Sequence, residues 1–245
     1  MNSGEKIVVV GLGEVGKPLM ELLSEKYWVV GVDVTPPAED PTGADVLHIC
    51  FPFQVRDFVG EASRYIKEFR PKLTIINSTV EVGTTRSVAD KSGAPIAYSP
   101  VRGKHAHMLE DLRRYTKFVG GVDESSATQA ALHFEGAGLK TKTLSSSEAA
   151  ELAKLTETTY FGLMITWAQE VERYADRVGA TYDEVVSFYD EIDFFPPVKY
   201  FPGIIGGHCV MPNIELLKRL DDSKLLDSIL VSNQTKIKRE APVKK

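Results

Sequence analysis

The sequence is poor in cysteine and in long apolar runs, and it has no excess of positive charge. Cys50 and Cys209 are too few, in 245 residues, for a disulfide framework, so we expect a reduced, cytoplasmic protein. No apolar run reaches the length of a membrane span, and the amino terminus lacks a signal-peptide core. The net charge of −5 gives no general attraction to nucleic acid or to an anionic membrane. We therefore expect a globular protein with neither as a partner.

The first half of the sequence alternates short β-branched runs with helix-like segments. The predicted strands are 7–10, 28–33, 46–51, 73–77, 95–98, 117–120 and 140–144, and the predicted helices between them are 18–26, 53–69 and 125–134. Near-continuous apolar strands alternating with helices are typical of a parallel sheet that is covered on both faces. The pattern predicts an α/β fold of the Rossmann type with a doubly wound parallel sheet.

The second half is predicted to be helical. Ser145-Ser-Ser-Glu148 has the pattern of a capping box, and an uninterrupted helical pattern runs from there to about Val178. A last amphipathic helix is predicted over 214–230. The lysine-rich stretch that follows, 236–245, has the composition of a solvated terminus.

A glycine motif connects the first predicted strand to the first predicted helix. Gly11-Leu-Gly-Glu-Val-Gly16 is Gly-x-Gly-x-x-Gly in the strand–turn–helix context that dinucleotide binding requires. Gly11 permits the tight turn, Gly13 permits close approach of a pyrophosphate, and Gly16 permits tight packing of the helix. Asp33 ends the second strand, where its carboxylate can bind ribose hydroxyls and would repel a 2′-phosphate. The motif predicts a dinucleotide site, with NAD favoured over NADP.

These patterns divide the chain into three parts. We predict a dinucleotide-binding domain over 1–145. A central long helix with a helical domain for substrate binding and dimerisation follows over 146–232. A disordered basic tail is predicted over 233–245.

Five blocks of the sequence resemble the NAD-dependent nucleotide-sugar 6-dehydrogenases, that is, the UDP-glucose, GDP-mannose and UDP-N-acetylmannosamine dehydrogenases. The blocks are Gly11–Leu19, Val30–Asp33, Asn77-Ser-Thr-Val-Glu-Val-Gly-Thr-Thr85, Glu151-Leu-Ala-Lys-Leu155 and Gly206-Gly-His-Cys209. They are similar to the family's cofactor loop, ribose-binding strand, Ser-Thr-Val-x-x-Gly-Thr-Thr block, central helix and cysteine loop. Together they cover roughly residues 6 to 213.

The resemblance implies a double oxidation of a primary alcohol and roles for three residues. Cys209 would be the nucleophile that captures the aldehyde, and a catalytic thiol needs a lowered pKa. Lys154 would stabilise the developing oxyanion, and Thr79 would position water or the nicotinamide. The predicted cofactor site comprises Gly11, Leu12, Gly13, Glu14, Val15, Gly16, Asp33, Phe51, Pro52, Ser78 and Thr79.

The sequence departs from the family pattern at four places. The family's glutamate after the fifth strand is replaced in Ser99-Pro100-Val101, and its helix asparagine is Thr158. The cysteine loop reads Cys209-Val-Met-Pro-Asn213, so an amide stands where the family has an aspartate. An amide cannot take up a proton as a carboxylate can. Only 36 residues follow Cys209, so we expect a truncated form without the family's nucleotide-binding domain.

The favoured function is an NAD-dependent oxidoreductase that oxidises a sugar-like primary alcohol through a cysteine nucleophile. The substrate would be smaller than a nucleotide sugar or completed by a partner chain. One alternative is an NAD-binding homologue that has lost catalysis and acts in regulation. Another is a 3-hydroxyacid dehydrogenase of the 6-phosphogluconate type. His105 and His107 lack further nearby ligands, so no metal site is predicted.

A homodimer is predicted through the long helix, where family members dimerise. Leu152, Leu155, Thr159, Leu163, Thr166 and Val171 give that helix an apolar side. Packing of this side within one chain is the alternative.

Overall fold

The computed structural model describes residues 4–35, 37, 39–103, 107–192, 200–207, 209–220 and 223–240. The chain forms two compact units, Met1–Lys154 and Leu155–Lys245. The division therefore lies inside the long helix, whereas the sequence placed a boundary after residue 145. The physical reason is that the start of this helix belongs to the first unit, where Ala150 is part of the buried core.

The first unit is built from seven strands and the helices that connect them. Its strands are β1 (Lys6–Val10), β2 (Trp28–Val32), β3 (Val46–Ile49), β4 (Leu73–Ile76), β5 (Ile96–Tyr98), β6 (Lys117–Gly121) and β7 (Thr141–Thr143). Its helices are α1 (Gly16–Ser24), α2 (Phe58–Phe69), α3 (Thr84–Ser92), α4 (Met108–Arg114) and α5 (Glu124–Gly136), and α6 (Ser147–Val178) begins here. All the predicted strands are present, within two residues at each end.

The strands form one sheet in the order β2-β1-β3-β4-β5-β6-β7. Neighbours from β2 to β5 are parallel, whereas β6 is antiparallel to β5. The predicted parallel sheet is therefore interrupted by one antiparallel pair, β5 and β6, whereas β7 is again parallel to β6. The connection between β5 and β6 includes the short helix α4, and an antiparallel neighbour needs no crossover.

Two hydrophobic clusters lie on opposite faces of the sheet, because β3 and β4 are apolar and buried on both sides. One cluster contains Leu19 of α1, Leu112 of α4 and Phe134 of α5. The other contains Phe58 of α2 and Val88 of α3. The predicted fold class, a doubly wound Rossmann-type sheet followed by a long helix, is confirmed.

Two short helices of this unit were not predicted from the sequence. Helix α3 reads Thr-Thr-Arg-Ser-Val-Ala-Asp-Lys-Ser and buries only Thr84, Thr85 and Val88. Helix α4 has seven residues. Helix α2 begins later than predicted, because the Asp57 side chain caps it by accepting a hydrogen bond from the Gly60 amide.

The second unit contains the rest of α6 and a set of shorter helices. They are α7 (Tyr182–Ser187), a 3₁₀ helix (Phe188–Glu191), α8 (Val210–Leu220) and α9 (Lys224–Glu240). Its core includes Ile165, Ile205, Val210, Ile214 and Ile229. Among the described residues, no helix is both long and apolar enough to cross a membrane.

The predicted disordered tail is wrong for residues 233–240, which belong to α9. The physical reason is that Lys236 is buried and forms ion pairs with Glu172 of α6 and Glu240 of its own helix. Lysine-rich composition suggested solvation, but these partners allow the charge to be buried. Residues 241–245 lie outside the described residues.

A hydrogen-bonded chain of polar side chains crosses the core of the first unit. Asn77 Nδ2 donates to the Ile75 carbonyl and to His48 Nδ1, both at 3.1 Å. Since Nδ1 accepts, the proton of His48 is on Nε2, which donates to His133 Nε2 at 3.0 Å. Both histidines are buried, and burial lowers the pKa of His133 to about 4.

We expect the free energy of unfolding to decrease as the pH falls from about 6.5, the ordinary histidine value, toward about 4. The unfolded chain takes up protons below about 6.5, whereas the folded state keeps His48 and His133 neutral. The contribution of the two neutral histidines to the free energy of unfolding is therefore complete above that pH and is lost progressively below it. For His133 the loss reaches about 3 kcal/mol, at about 1.4 kcal/mol per pKa unit.

Urea unfolding at a series of pH values measures this dependence. His133→Gln should flatten the slope between pH 6.5 and 4, whereas His107→Gln, at an exposed position, should leave it unchanged. Equal slopes in both variants would contradict the buried neutral pair.

Candidate functional site

The glycine motif forms the turn between β1 and α1. Gly11 has a φ of +91°, and a Cβ atom there would lie 2.6 Å from the Phe51 backbone nitrogen. A Cβ atom on Gly16 would lie 1.8 Å from the Gly11 carbonyl oxygen. Only glycine therefore fits at Gly11 and Gly16, as the sequence predicts for a tight turn and a closely packed helix.

Gly13 differs from these two glycines because the space beside it is open. A Cβ atom on Gly13 would have no neighbour within 4 Å. No side-chain cap is present at the start of α1 among the described residues, although the Lys17 amide donates to the Gly13 carbonyl at 3.1 Å. A glycine turn with open space beside it at the start of a helix fits a phosphate group.

Asp33 lies beside this turn. Its Oδ2 accepts a hydrogen bond from the Leu12 amide at 3.1 Å, and its Oδ1 accepts one from the Val34 amide at 2.9 Å. The carboxylate is exposed and keeps acceptor capacity for further donors. The structure thus brings the predicted ribose-binding acid to the predicted phosphate loop.

The loops after β3 and β4 join the same edge of the sheet. Ser78 Oγ donates to the Phe51 carbonyl at 2.6 Å, which links the two loops. Pro52 is exposed and Thr79 is half-buried. Since Gly11 also lies against Phe51, all the predicted cofactor-binding residues meet at the carboxyl ends of β1 to β4, where α/β sheets bind ligands.

A buried carboxylate explains the Gly-Thr-Thr part of the Ser-Thr-Val-x-x-Gly-Thr-Thr block. Glu151 of α6 accepts hydrogen bonds from the Gly83 amide at 2.6 Å, the Thr85 amide at 2.8 Å and the Thr85 hydroxyl at 2.6 Å. Burial raises the pKa of the Glu151 carboxyl, and these three donors lower it in part. Gly83 and Thr85 thus hold the start of α6 at this edge of the sheet. In the sequence, Glu151 stands only in the block Glu151–Leu155, and no role was predicted for it.

Lys154 follows Glu151 by one helical turn and is half-buried. A second lysine, Lys117, was missed because it begins a strand. Lys117 is buried, and its Nζ donates to the Ser99 and Pro100 carbonyls, both at 3.1 Å. Burial lowers the pKa of Lys117 to about 7, and the charge of Lys154 contributes to the shift. Lys117 therefore fixes the turn after β5, where the family's glutamate is replaced by Val101.

Cys209 belongs to the second unit, directly before α8, and is exposed. Its carbonyl accepts the Asn213 amide at 3.3 Å, so it begins the first turn of α8. Asn213 Nδ2 donates to Thr158 Oγ1 at 2.8 Å. Two residues that depart from the family pattern thus form a neutral pair with each other. His208 lies outside the described residues.

No group of three or more His, Cys, Asp or Glu side chains that could hold a metal ion was found among the residues that the structure describes. His105, considered with His107 as a ligand, lies outside that set.

Known proteins resemble this chain in sequence. Residues 148–238 match the model of the UDP-glucose/GDP-mannose dehydrogenase family, central domain. The UDP-N-acetyl-D-mannosamine dehydrogenase of Methanocaldococcus jannaschii is 27% identical, over 84% of this chain and 60% of that protein. The family resemblance drawn from the motifs is confirmed. The chain spans about 60% of the length of the curated relatives it matches.

Solved structures share the fold. The UDP-D-ManNAc dehydrogenase of Pyrococcus horikoshii has a TM-score of 0.81 at 23% identity, covering 94% of this chain and 68% of that one. The 3-hydroxyisobutyrate dehydrogenase of Mycobacterium tuberculosis has a TM-score of 0.71 at 19% identity. There the match covers 98% of this chain and 95% of the other.

We expect Glu151→Ala to lower the free energy of unfolding by about 3 kcal/mol, because it leaves buried donors at Gly83 and Thr85 without their acceptor. Glu148→Ala is the matched control, three residues earlier on the same helix. It removes a partly exposed ion pair with Arg86 and should cost about 1 kcal/mol or less. Denaturant unfolding measures both values. Similar costs for the two variants would contradict the anchoring role of Glu151.

Proposed function

We propose that this chain, whose residues 148–238 match the central domain of the UDP-glucose/GDP-mannose dehydrogenase family, is an NAD-dependent dehydrogenase that oxidises the primary alcohol of a sugar-like substrate. The observation that supports the proposal is the arrangement of residues at the carboxyl edge of the sheet. There the glycine turn lies beside Asp33, and Glu151 anchors the helix turn that precedes Lys154. The names of the sequence relatives, which are dehydrogenases of sugar nucleotides, support it.

The cofactor would be held by the residues between Gly11 and Gly16. The backbone of this turn and the start of α1 would bind the pyrophosphate in the open space beside Gly13. The Asp33 carboxylate would accept hydrogen bonds from the ribose hydroxyls, and its charge disfavours a 2′-phosphate. When bound, NAD supplies the hydride acceptor, with one molecule of NAD needed for each of the two oxidations.

The chemistry at the substrate would fall to Lys154 and Cys209. Lys154 would stabilise the negative oxygen that develops as the alcohol loses a proton and a hydride. The Cys209 thiolate would then add to the carbonyl carbon of the aldehyde. Loss of a second hydride from this adduct leaves a thioester, and water cleaves the C–S bond to release the acid and the thiol. Asn213 and Val101 supply no carboxylate for that water.

The experiment that tests the proposal is NADH formation from NAD and a panel of sugars and nucleotide sugars. Lys154→Met should reduce kcat by about 10²- to 10³-fold, the effect of losing one oxyanion donor. Cys209→Ser should abolish acid formation. Lys142→Met, at an exposed lysine of β7, should have no effect. Absence of turnover with every substrate, combined with NAD binding, would contradict the proposal and favour a regulatory homologue.

A 3-hydroxyacid dehydrogenase is the second candidate. It is favoured by the 3-hydroxyisobutyrate dehydrogenase fold, whose match covers nearly the whole of both chains. Such an enzyme oxidises a secondary or primary alcohol once and needs no cysteine. Turnover of a 3-hydroxyacid that survives in Cys209→Ser would select this function over the first.

We also propose that α6 joins two copies of this chain. The apolar side predicted from the sequence is largely buried within the chain, at Leu155, Thr159, Thr166 and Val171. A different side exposes aromatic residues seven positions apart. These are Tyr160, Trp167 and Tyr174, each more than half exposed. A second copy that packs along this stripe would cover it.

We expect sedimentation equilibrium to give a dimer for the wild-type chain. Trp167→Glu should shift it to a monomer, because the introduced charge would be buried at the centre of the stripe. Glu157→Gln, which changes charge at an exposed position on the same helix, is the control and should leave the dimer intact. A wild-type monomer would contradict the proposal.

A further inference from the structure

The side chain of Asn233 in α9 forms two hydrogen bonds with the backbone of Ile205. Its Nδ2 donates to the Ile205 carbonyl at 2.8 Å, and its Oδ1 accepts from the Ile205 amide at 2.8 Å. A planar amide that satisfies both groups of one residue fixes that residue in position and in rotation. Asn233 stands in the segment for which the sequence predicted disorder.

Gln169 of α6 extends this contact along the same segment. Its Nε2 donates to the Gly203 carbonyl at 2.6 Å, and its Oε1 accepts from Ser232 Oγ at 3.0 Å. Both amide side chains are buried, at 0% exposure for Gln169 and 2% for Asn233. We call Gln169 and Asn233 the amide clamp. Buried amides that form these hydrogen bonds hold their partners rigidly. Breaking one of the bonds would leave a buried polar group without a partner, which is costly.

The segment that the clamp holds leads directly to Cys209. Only residues 206–208 separate Ile205 from the cysteine, and two of these three are glycine. On the far side, Val210 packs so close to α6 that a Cβ atom on Gly162 would lie 2.6 Å from it. The glycine-rich stretch is thus fixed at both ends, by the amide clamp before it and by the Gly162–Val210 contact after it.

We propose that Asn233 and Gln169 are positioning residues for Cys209. Glycine backbones are intrinsically free, so a loop of this composition holds a nucleophile in place only if its ends are fixed. The expected effect on catalysis rests on the proposed function of Cys209. The expected ordering of the Ile205 backbone does not depend on that function.

The test uses the full chain with Asn233→Leu, which keeps the approximate size of the side chain but can neither accept from the Ile205 amide nor donate to the Ile205 carbonyl. Amide hydrogen exchange at Ile205 should become at least tenfold faster, while the Leu216 amide of α8 should be unchanged. The kcat of the cysteine-dependent oxidation should fall at least tenfold with KM for NAD unchanged. Thr235→Ala, at an exposed position two residues later on the same helix, is the matched control.

Gln169→Glu is the second variant. It removes the bond to the Gly203 carbonyl and should give the same pattern if Asn233→Leu does not fold. Unchanged exchange at Ile205 in a folded variant would overturn the clamp. Faster exchange with unchanged kcat would overturn its positioning role. A wild-type chain without turnover would refute the proposed function instead, and exchange at Ile205 would still decide whether the clamp exists.

Discussion

The buried carboxylate of Glu151 receives three hydrogen bonds from Gly83 and Thr85, and the first unit depends on this contact. It ties the turn after β4 to the start of α6, so that the helix turn leading to Lys154 is held at the carboxyl edge of the sheet. Taking a carboxylate out of water is costly unless its lone pairs are filled, and here three donors fill them. The glycine turn, Asp33 and the Ser78 loop meet at the same edge because parallel strands all end there.

Much of this arrangement could be predicted from the sequence, and the reasons are specific. The β-branched runs that become β1 to β5 and the spacing from Gly11 to Gly16 are local signals, so both were found. The antiparallel direction of β6 could not be predicted from its own residues. The strand that begins at Lys117 has an ordinary composition, and its direction is set by the connection that precedes it. Helix α3 was not predicted because two of its three buried residues are threonines and only Val88 is apolar.

Side-chain partners distant in sequence could not be predicted at all. The Asn233 side chain forms its bonds 28 residues earlier, at Ile205. Its neighbour Lys236 looked like part of a solvated tail until Glu172 and Glu240 were seen beside it. Thr158 and Asn213 were recognised separately as departures from a family pattern, yet they are hydrogen-bonded to each other. A neutral pair that replaces two polar family residues together explains how the first turn of α8 still packs on α6.

Calorimetric titration of the wild-type chain with NAD and with NADP tests the proposed cofactor site most directly, because binding depends on the glycine turn and on Asp33 and on no assumption about the substrate. We expect saturable binding of NAD and binding of NADP at least tenfold weaker. The open space beside Gly13 predicts in addition that Gly13→Ala folds normally and binds NAD more weakly. Equal affinity for the two dinucleotides, or no binding of NAD, would contradict a cofactor site at the glycine turn and Asp33.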